Sequence, residues 1–176
     1  RDARIRNLIP FANHNEKKME AAKPLLHGKD SPMKTTAVPE IDLTDKMVHL
    51  SRSYYAPRET VFAAWSSADA LKRWYAPHGC TVEIRHFDFQ PGGTFLLCIR
   101  NPDYPDCWCT GTYHEIVAPE RIAFSMALCD EEGRLLDAAD AGKDTDWPAE
   151  TIVIVEFGEE DGQTMLWLHQ NALESV

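Results

Sequence analysis

Asp88-Phe89-Gln90-Pro91-Gly92-Gly93-Thr94-Phe95 is the stretch that decides the fold. Proline followed by glycine fits the central positions of a type II turn: proline presets its φ, and glycine accepts positive φ without a Cβ clash. The flanks are β-prone, so the turn joins a strand over 81–89 to one over 94–100. No helix start follows Gly92-Gly93, so this is a turn and not a phosphate-cradling loop.

Working towards the C-terminus, the pattern repeats. Residues 101–106, with two prolines, read as a loop and 107–117 as a strand. Ala118-Pro119-Glu120 is a turn. In the strand over 121–129, Ile122, Phe124, Met126 and Leu128 share one parity. Residues 151–157 and 163–170 form a last hairpin around Glu159-Glu160-Asp161-Gly162. Between them, residues 130–150 are a long loop with eight Asp/Glu and two Lys/Arg. It reads as a solvated excursion, with a gate over a cleft as the functional alternative, because Trp147-Pro148 places a ring that docks somewhere.

Towards the N-terminus, residues 47–54 alternate, with Val48, Leu50, Arg52 and Tyr54 on one parity. Pro57 then sits as at the first turn of a helix, and Glu59 suits its positive end. Val61, Phe62 and Trp65 make a buried helical stripe. Ser66-Ser67-Ala68-Asp69 starts a second short helix, with Leu71 and Trp74 as its apolar face; Pro77 and Gly79 end it. The order is one strand, two short helices, then six strands joined by hairpin-like turns. That is an α+β antiparallel sheet. Two short helices cannot cover so many strands, so a long covering helix is expected after residue 170, where only 171–176 remain.

Composition bounds the function. The chain has 176 residues, 44% hydrophobic and 26% charged, with a net charge of −10. That is a globular balance, with no apolar run of the ~18–20 residues a membrane span needs. Residues 1–42 carry eight Lys/Arg against six Asp/Glu, and the remainder ten against twenty-two. So acidic a body repels phosphate backbones, and no nucleic-acid partner is expected. Five cysteines without paired spacing, and no signal peptide, point to reduced thiols in a cytoplasm. Residues 1–42, broken by four prolines, read as a mobile tail, with Met33 a candidate natural start and residues 16–26 a candidate short helix.

Five motifs in this order resemble one family. They are Tyr55-Ala56-Pro57-Arg58-Glu59-Thr60-Val61-Phe62-Ala63-Ala64-Trp65, Leu71-Lys72-Arg73-Trp74-Tyr75-Ala76-Pro77, the turn at 88–95, Gly111-Thr112-Tyr113-His114-Glu115-Ile116, and Pro119-Glu120-Arg121-Ile122 with Phe124-Ser125. The family is that of the activator of heat-shock chaperone ATPase homologues (Aha-type C-terminal domain), in the START-like or SRPBCC superfamily. The resemblance covers about 47–170. It implies a helix-grip fold over 43–176, in which a curved antiparallel sheet wraps a long C-terminal helix and the cleft between them holds an apolar ligand in many relatives. This sequence departs from that pattern in that only 171–176 stand where the helix would begin, so either a fragment or a truncated protein is expected. A bare sheet face is a dimerisation surface, so a homodimer is one expectation.

Trp65, Trp74, Phe95, Trp108, Tyr113, Phe124 and Trp167 sit in or beside the elements that would frame a cleft. They either line a cavity or fill a core, and both readings stand. Asp88 and Glu115, with Arg85, Arg100 or Arg121, are candidates to orient a polar ligand group, or else rim residues serving solubility. Cys107 and Cys109 share a strand face, and with Cys98 or His114 could hold a metal. They lack the bracketed spacing of a zinc site, and strand cysteines commonly serve as small hydrophobes, so no metal and no cofactor is assigned. The leading reading is a non-catalytic binding module for an apolar, lipid-like small molecule. A co-chaperone acting on a heat-shock chaperone, and a cyclase or dehydratase using His114, Glu115 and Asp88, are the alternatives.

Overall fold

The computed structural model describes residues 48–143 and 148–172. The expectations for the tail over 1–42, Met33, the helix over 16–26 and Trp147 fall outside these residues. Nine elements follow in the expected order: β1 (Val48–Tyr54), α1 (Arg58–Ala63), α2 (Ala68–Leu71), β2 (Thr81–Phe87), β3 (Thr94–Asn101), β4 (Tyr104–Val117), β5 (Arg121–Leu128), β6 (Glu150–Glu160) and β7 (Gln163–Ala172).

The strands form one seven-stranded antiparallel sheet in the order β1-β7-β6-β5-β4-β3-β2. Five hairpins run in sequence order, and the single non-local pairing sets β1 beside β7. Register shifts at Ile84/His86, Ile99/Asn101 and Tyr113/Glu115 interrupt the ladders. Such bulges bend the strand that carries them and raise its twist, which suits a curved sheet. This is the helix-grip arrangement, without a long C-terminal helix among the described residues.

The turn at 90–93 is built as its residues dictate. Gly92 has φ +82° and the Gly93 N–H donates to the Gln90 carbonyl at 2.8 Å. The turn is also tied to β4: the Gly92 N–H donates to Tyr113 O at 2.7 Å, and the Tyr113 N–H to Gly93 O at 2.9 Å. Two turns are tighter than expected. Asn101 pairs with Tyr104, so β4 begins before the two prolines have run out. Glu160 pairs with Gln163, leaving Asp161 (φ +50°) and Gly162 (φ +73°) as a two-residue loop. Positive φ at both central residues is the type I′ geometry whose twist matches a hairpin.

The helices are short and held locally. Pro57 caps α1, its carbonyl accepting from Thr60 and Val61; Ser67 caps α2, its Oγ accepting the Ala70 N–H at 3.2 Å. They pack on the face that carries Val82, Phe95, Leu97, Tyr113, Phe124, Val155 and Leu168, which we call the inner face. The outer face holds a small separate cluster of Ala123, Ile152 and Ile154. The acidic segment after β5 is not simply a solvated excursion. Its Leu136 N–H donates to Leu128 O at 3.0 Å, Arg85 donates to Glu131 O at 2.9 Å, and Ala141 packs on the inner core.

Candidate functional site

The inner face carries a partly open apolar cleft. Trp65, Leu71 and Tyr75 line it from the helical corner, Phe87, Phe95 and Leu97 from β2 and β3, and Tyr113, Ile122 and Phe124 from β4 and β5. The space left among them is about 20 Å³, room for one water-sized body. Of the two readings the sequence left open, this state is nearer to a filled core.

Phe95 meets Phe124 edge to face and Tyr113 is tilted against both, offset arrangements that ring quadrupoles favour over face-to-face stacking. Tyr113 lies 5.6 Å from Phe95 and 5.8 Å from Phe124, centroid to centroid, and Phe95 lies 5.9 Å from Phe124. Gly111 makes this possible: a Cβ there would come within 2.6 Å of the Phe95 ring and 1.9 Å of the Ser125 carbonyl. Phe87 and Phe89 stack with planes 6° apart and are half-buried, so they form the outer wall.

Two phenols supply the polarity. Tyr75 and Tyr113 are buried, and burial pushes both hydroxyls well above the usual phenol range. Each therefore stays a neutral group able to donate. The Tyr75 hydroxyl donates to Met126 Sδ at 3.8 Å, a weak acceptor that a ligand oxygen can displace.

Four of the nine residues anticipated from sequence meet here: Trp65, Phe95, Tyr113 and Phe124. Trp74 stands behind them, 4.8 Å from Trp65, with its Nε1 donating to Ala64 O at 2.9 Å. Asp88 is at the rim between the stacked Phe87 and Phe89, and its carboxylate accepts from Gln90 Nε2 at 2.8 Å. The other three lie on the outer face. Trp108 sits under Arg85 at 4.2 Å. Trp167 falls between inward Leu166 and Leu168, with its ring where a Cβ on Gly158 would stand 2.7 Å away. Glu115 is paired across the ladder with Ala123 and accepts from Arg121 Nε at 2.8 Å. Neither His114, Glu115 nor Asp88 lines the cleft.

Leu71, Tyr75, Phe87, Leu97 and Ile122 were not anticipated. Tyr75 had a signal, four residues after Leu71 on the same helical face. Phe87 had none, because the bulge at Ile84/His86 resets the parity that Val82 and Ile84 establish.

The outer face is polar and networked. Arg121 joins Glu115 to Glu156; His169 Nε2 lies 3.6 Å from Glu156, and His169 Nδ1 lies 2.7 Å from His49 Nδ1. His169 and, behind it, Arg121 hold the Glu156 carboxyl below its usual range against the opposing effect of burial. At the other end of the sheet, Arg100 bonds Glu83 and Asp106, and Arg85 bonds Glu83 and Glu131.

Solved structures with this fold are numerous. A Mycobacterium smegmatis protein superposes with a TM-score of 0.63 at 18% identity, over 76% of this chain and 77% of that one. A Chromobacterium violaceum protein gives 0.61 at 21% identity, over 74% and 81%. A Staphylococcus epidermidis protein gives 0.61 at 21% identity, over 76% and 75%. At these identities the likeness is one of fold alone. Among curated proteins, none matches this chain. Residues 55–176 match the family described as Activator of Hsp90 ATPase homolog 1-like protein, and the chain belongs to that family.

Proposed function

We propose that the domain takes up a small, flat, largely apolar molecule between the helical corner and strands β2–β5. The observation that supports this is the convergence of six aromatic rings, two of them neutral phenols, on a partly open apolar cleft. Apolar clefts with a few convergent polar groups are the usual form of small-molecule sites. The ligand displaces the half-buried Phe87–Phe89 pair, enters beside Asp88, and is oriented by Tyr75 and Tyr113. Its binding is driven by burial of apolar surface, about 25 cal/mol per Å² before ordering costs. Titration with 2-naphthol and with naphthalene, followed by tryptophan fluorescence, tests this. Saturable binding of both, with Tyr113→Phe weakening 2-naphthol more than naphthalene, is expected. No saturable binding to the folded chain removes the reading.

The family's description favours a second reading, stimulation of a heat-shock chaperone ATPase. Its test is a chaperone ATPase assay with and without the full chain, where an unchanged rate at saturating protein rejects it. The outer-face charge networks are the surface such a partner would meet, and their neutralisation by substitution would lower any stimulation observed.

A further inference from the structure

His49 and His169 stand directly opposite each other where β1 pairs with β7. Cross-strand partners share a face, here the outer one, and their side chains are close enough to interact. The two Nδ1 atoms lie 2.7 Å apart, while the ring centroids are 4.8 Å apart and the planes are 81° from parallel. Nitrogen therefore faces nitrogen, and the rings do not stack. The far side of His169 is held: its Nε2 lies 3.6 Å from Glu156, whose carboxylate accepts from Arg121 Nη1 at 2.7 Å. A carboxylate there keeps the proton on Nε2, because the tautomer of an imidazole is set by what its other nitrogen bonds. His169 Nδ1 is then a bare lone pair, and His49 Nδ1 is the donor in the contact between them.

We propose that His49 and His169 form a two-imidazole chelate for a divalent transition ion of tetragonal preference, Ni(II) or Cu(II), which clips the edge strand β1 to β7. Imidazole suits both ions. At metal–nitrogen distances of about 2.0–2.1 Å, two ligands in cis positions stand about 2.8–3.0 Å from each other, and two on a tetrahedron about 3.3–3.4 Å. The observed 2.7 Å is close to the cis spacing, so a tetragonal ion asks for less movement than a zinc tetrahedron. His49 is exposed and the second torsion of histidine is broad, so its ring supplies that movement. The described residues hold no group of three or more His, Cys, Asp or Glu placed for a metal, so the protein gives two ligands and water completes the set. Glu156 is not a third ligand, since it faces the opposite nitrogen of His169. It orients the ring, as carboxylates behind ligating histidines do. On binding, the His49 proton moves from Nδ1 to Nε2 by way of water; none is released, and no oxidation state changes.

The test is thermal unfolding of the full chain with and without Ni(II). An ion that binds only the folded state raises Tm, by roughly 5–10 °C for a chain of this size at a hundredfold excess over Kd. A chelator such as EDTA should reverse the rise. His49→Ala and His169→Ala should each abolish it, and Glu156→Gln should weaken Ni(II) binding by ~10–100-fold. His78→Ala and His86→Ala should leave it unchanged. Near-UV circular dichroism identifies any variant that fails to fold. For such a case, histidine-ring NMR of the wild-type chain is the second readout: substoichiometric Ni(II) should broaden the His49 and His169 signals ahead of the other histidines. No Tm rise at millimolar Ni(II), a rise retained in folded His49→Ala, or broadening that spares His169 each overturns the proposal.

Discussion

Phe124→Ala separates a core that is merely filled from a cleft that can open. Phe124 is 6% exposed and makes ring contacts with Phe95 and Tyr113. Truncating a buried phenylalanine costs about 3–5 kcal/mol, the transfer free energy of the ring plus the cavity left behind. For a domain of this size each kcal/mol lowers Tm by roughly 3–4 °C, so a loss of about 10–20 °C is expected. The vacated space adjoins the existing 20 Å³ and is apolar, so it stays dry and accepts a benzene-sized guest. The assay is thermal unfolding of wild type and variant, each with and without saturating benzene or indole. The variant's Tm should rise with the guest by several degrees more than the wild type's. A loss of only a few degrees would mean that the rings are not packed as described. A full loss with no rescue would mean that the site collapses rather than admits a ligand, and the cleft reading would fail.

Gly93→Ala puts a Cβ 2.1 Å from the Asp88 carbonyl oxygen, a backbone atom that cannot swing away. Overpacking costs of about 1–3 kcal/mol are the floor here, and an unchanged urea midpoint would contradict the turn geometry. Glu156 has a depressed carboxyl pKa, so its stabilisation is present above the unfolded value of about 4.5 and is lost as pH falls through the lower folded value. Because the carboxylate is 41% exposed, solvent screening limits the effect to about 1 kcal/mol or less. Urea midpoints for wild type and Glu156→Gln should therefore differ at neutral pH and converge in acid; a constant gap would refute the assignment. Tyr75 and Tyr113 have raised pKa values, so their contribution is full below about pH 10 and is lost as pH rises above it. Alkaline difference absorbance should show these two phenols ionising only with unfolding, which Tyr75→Phe and Tyr113→Phe would each reduce by one chromophore.

The hairpins were legible because each is a local decision. Pro91-Gly92 and Asp161-Gly162 state their turns in two residues, and the alternation of Ile122, Phe124, Met126 and Leu128 states the inner face. The partnering of β1 with β7 was not legible, because more than a hundred residues separate the strands and no local pattern encodes which edge β1 joins. The site was half legible. Aromatic content marked the right strands, but facing is decided by parity: Trp167 lies between two inward leucines and Trp108 between two inward cysteines, so both turn outward. At Glu115 even parity fails, since the bulge between Tyr113 and Glu115 shifts the count by one. The acidic segment read as solvated from its charges, yet Ala141 and the backbone at Leu136 dock it.

The central claim is that the inner-face cleft holds an apolar small molecule. Native mass spectrometry of the chain as purified, followed by denaturing analysis of whatever is released, tests it most directly. The account predicts one discrete apolar molecule per chain, reduced in occupancy by substitutions at Phe95 or Tyr113. A chain that stays empty and also refuses aromatic probes would contradict it; if that chain were a dimer, the apolar face would have found its cover in a second copy.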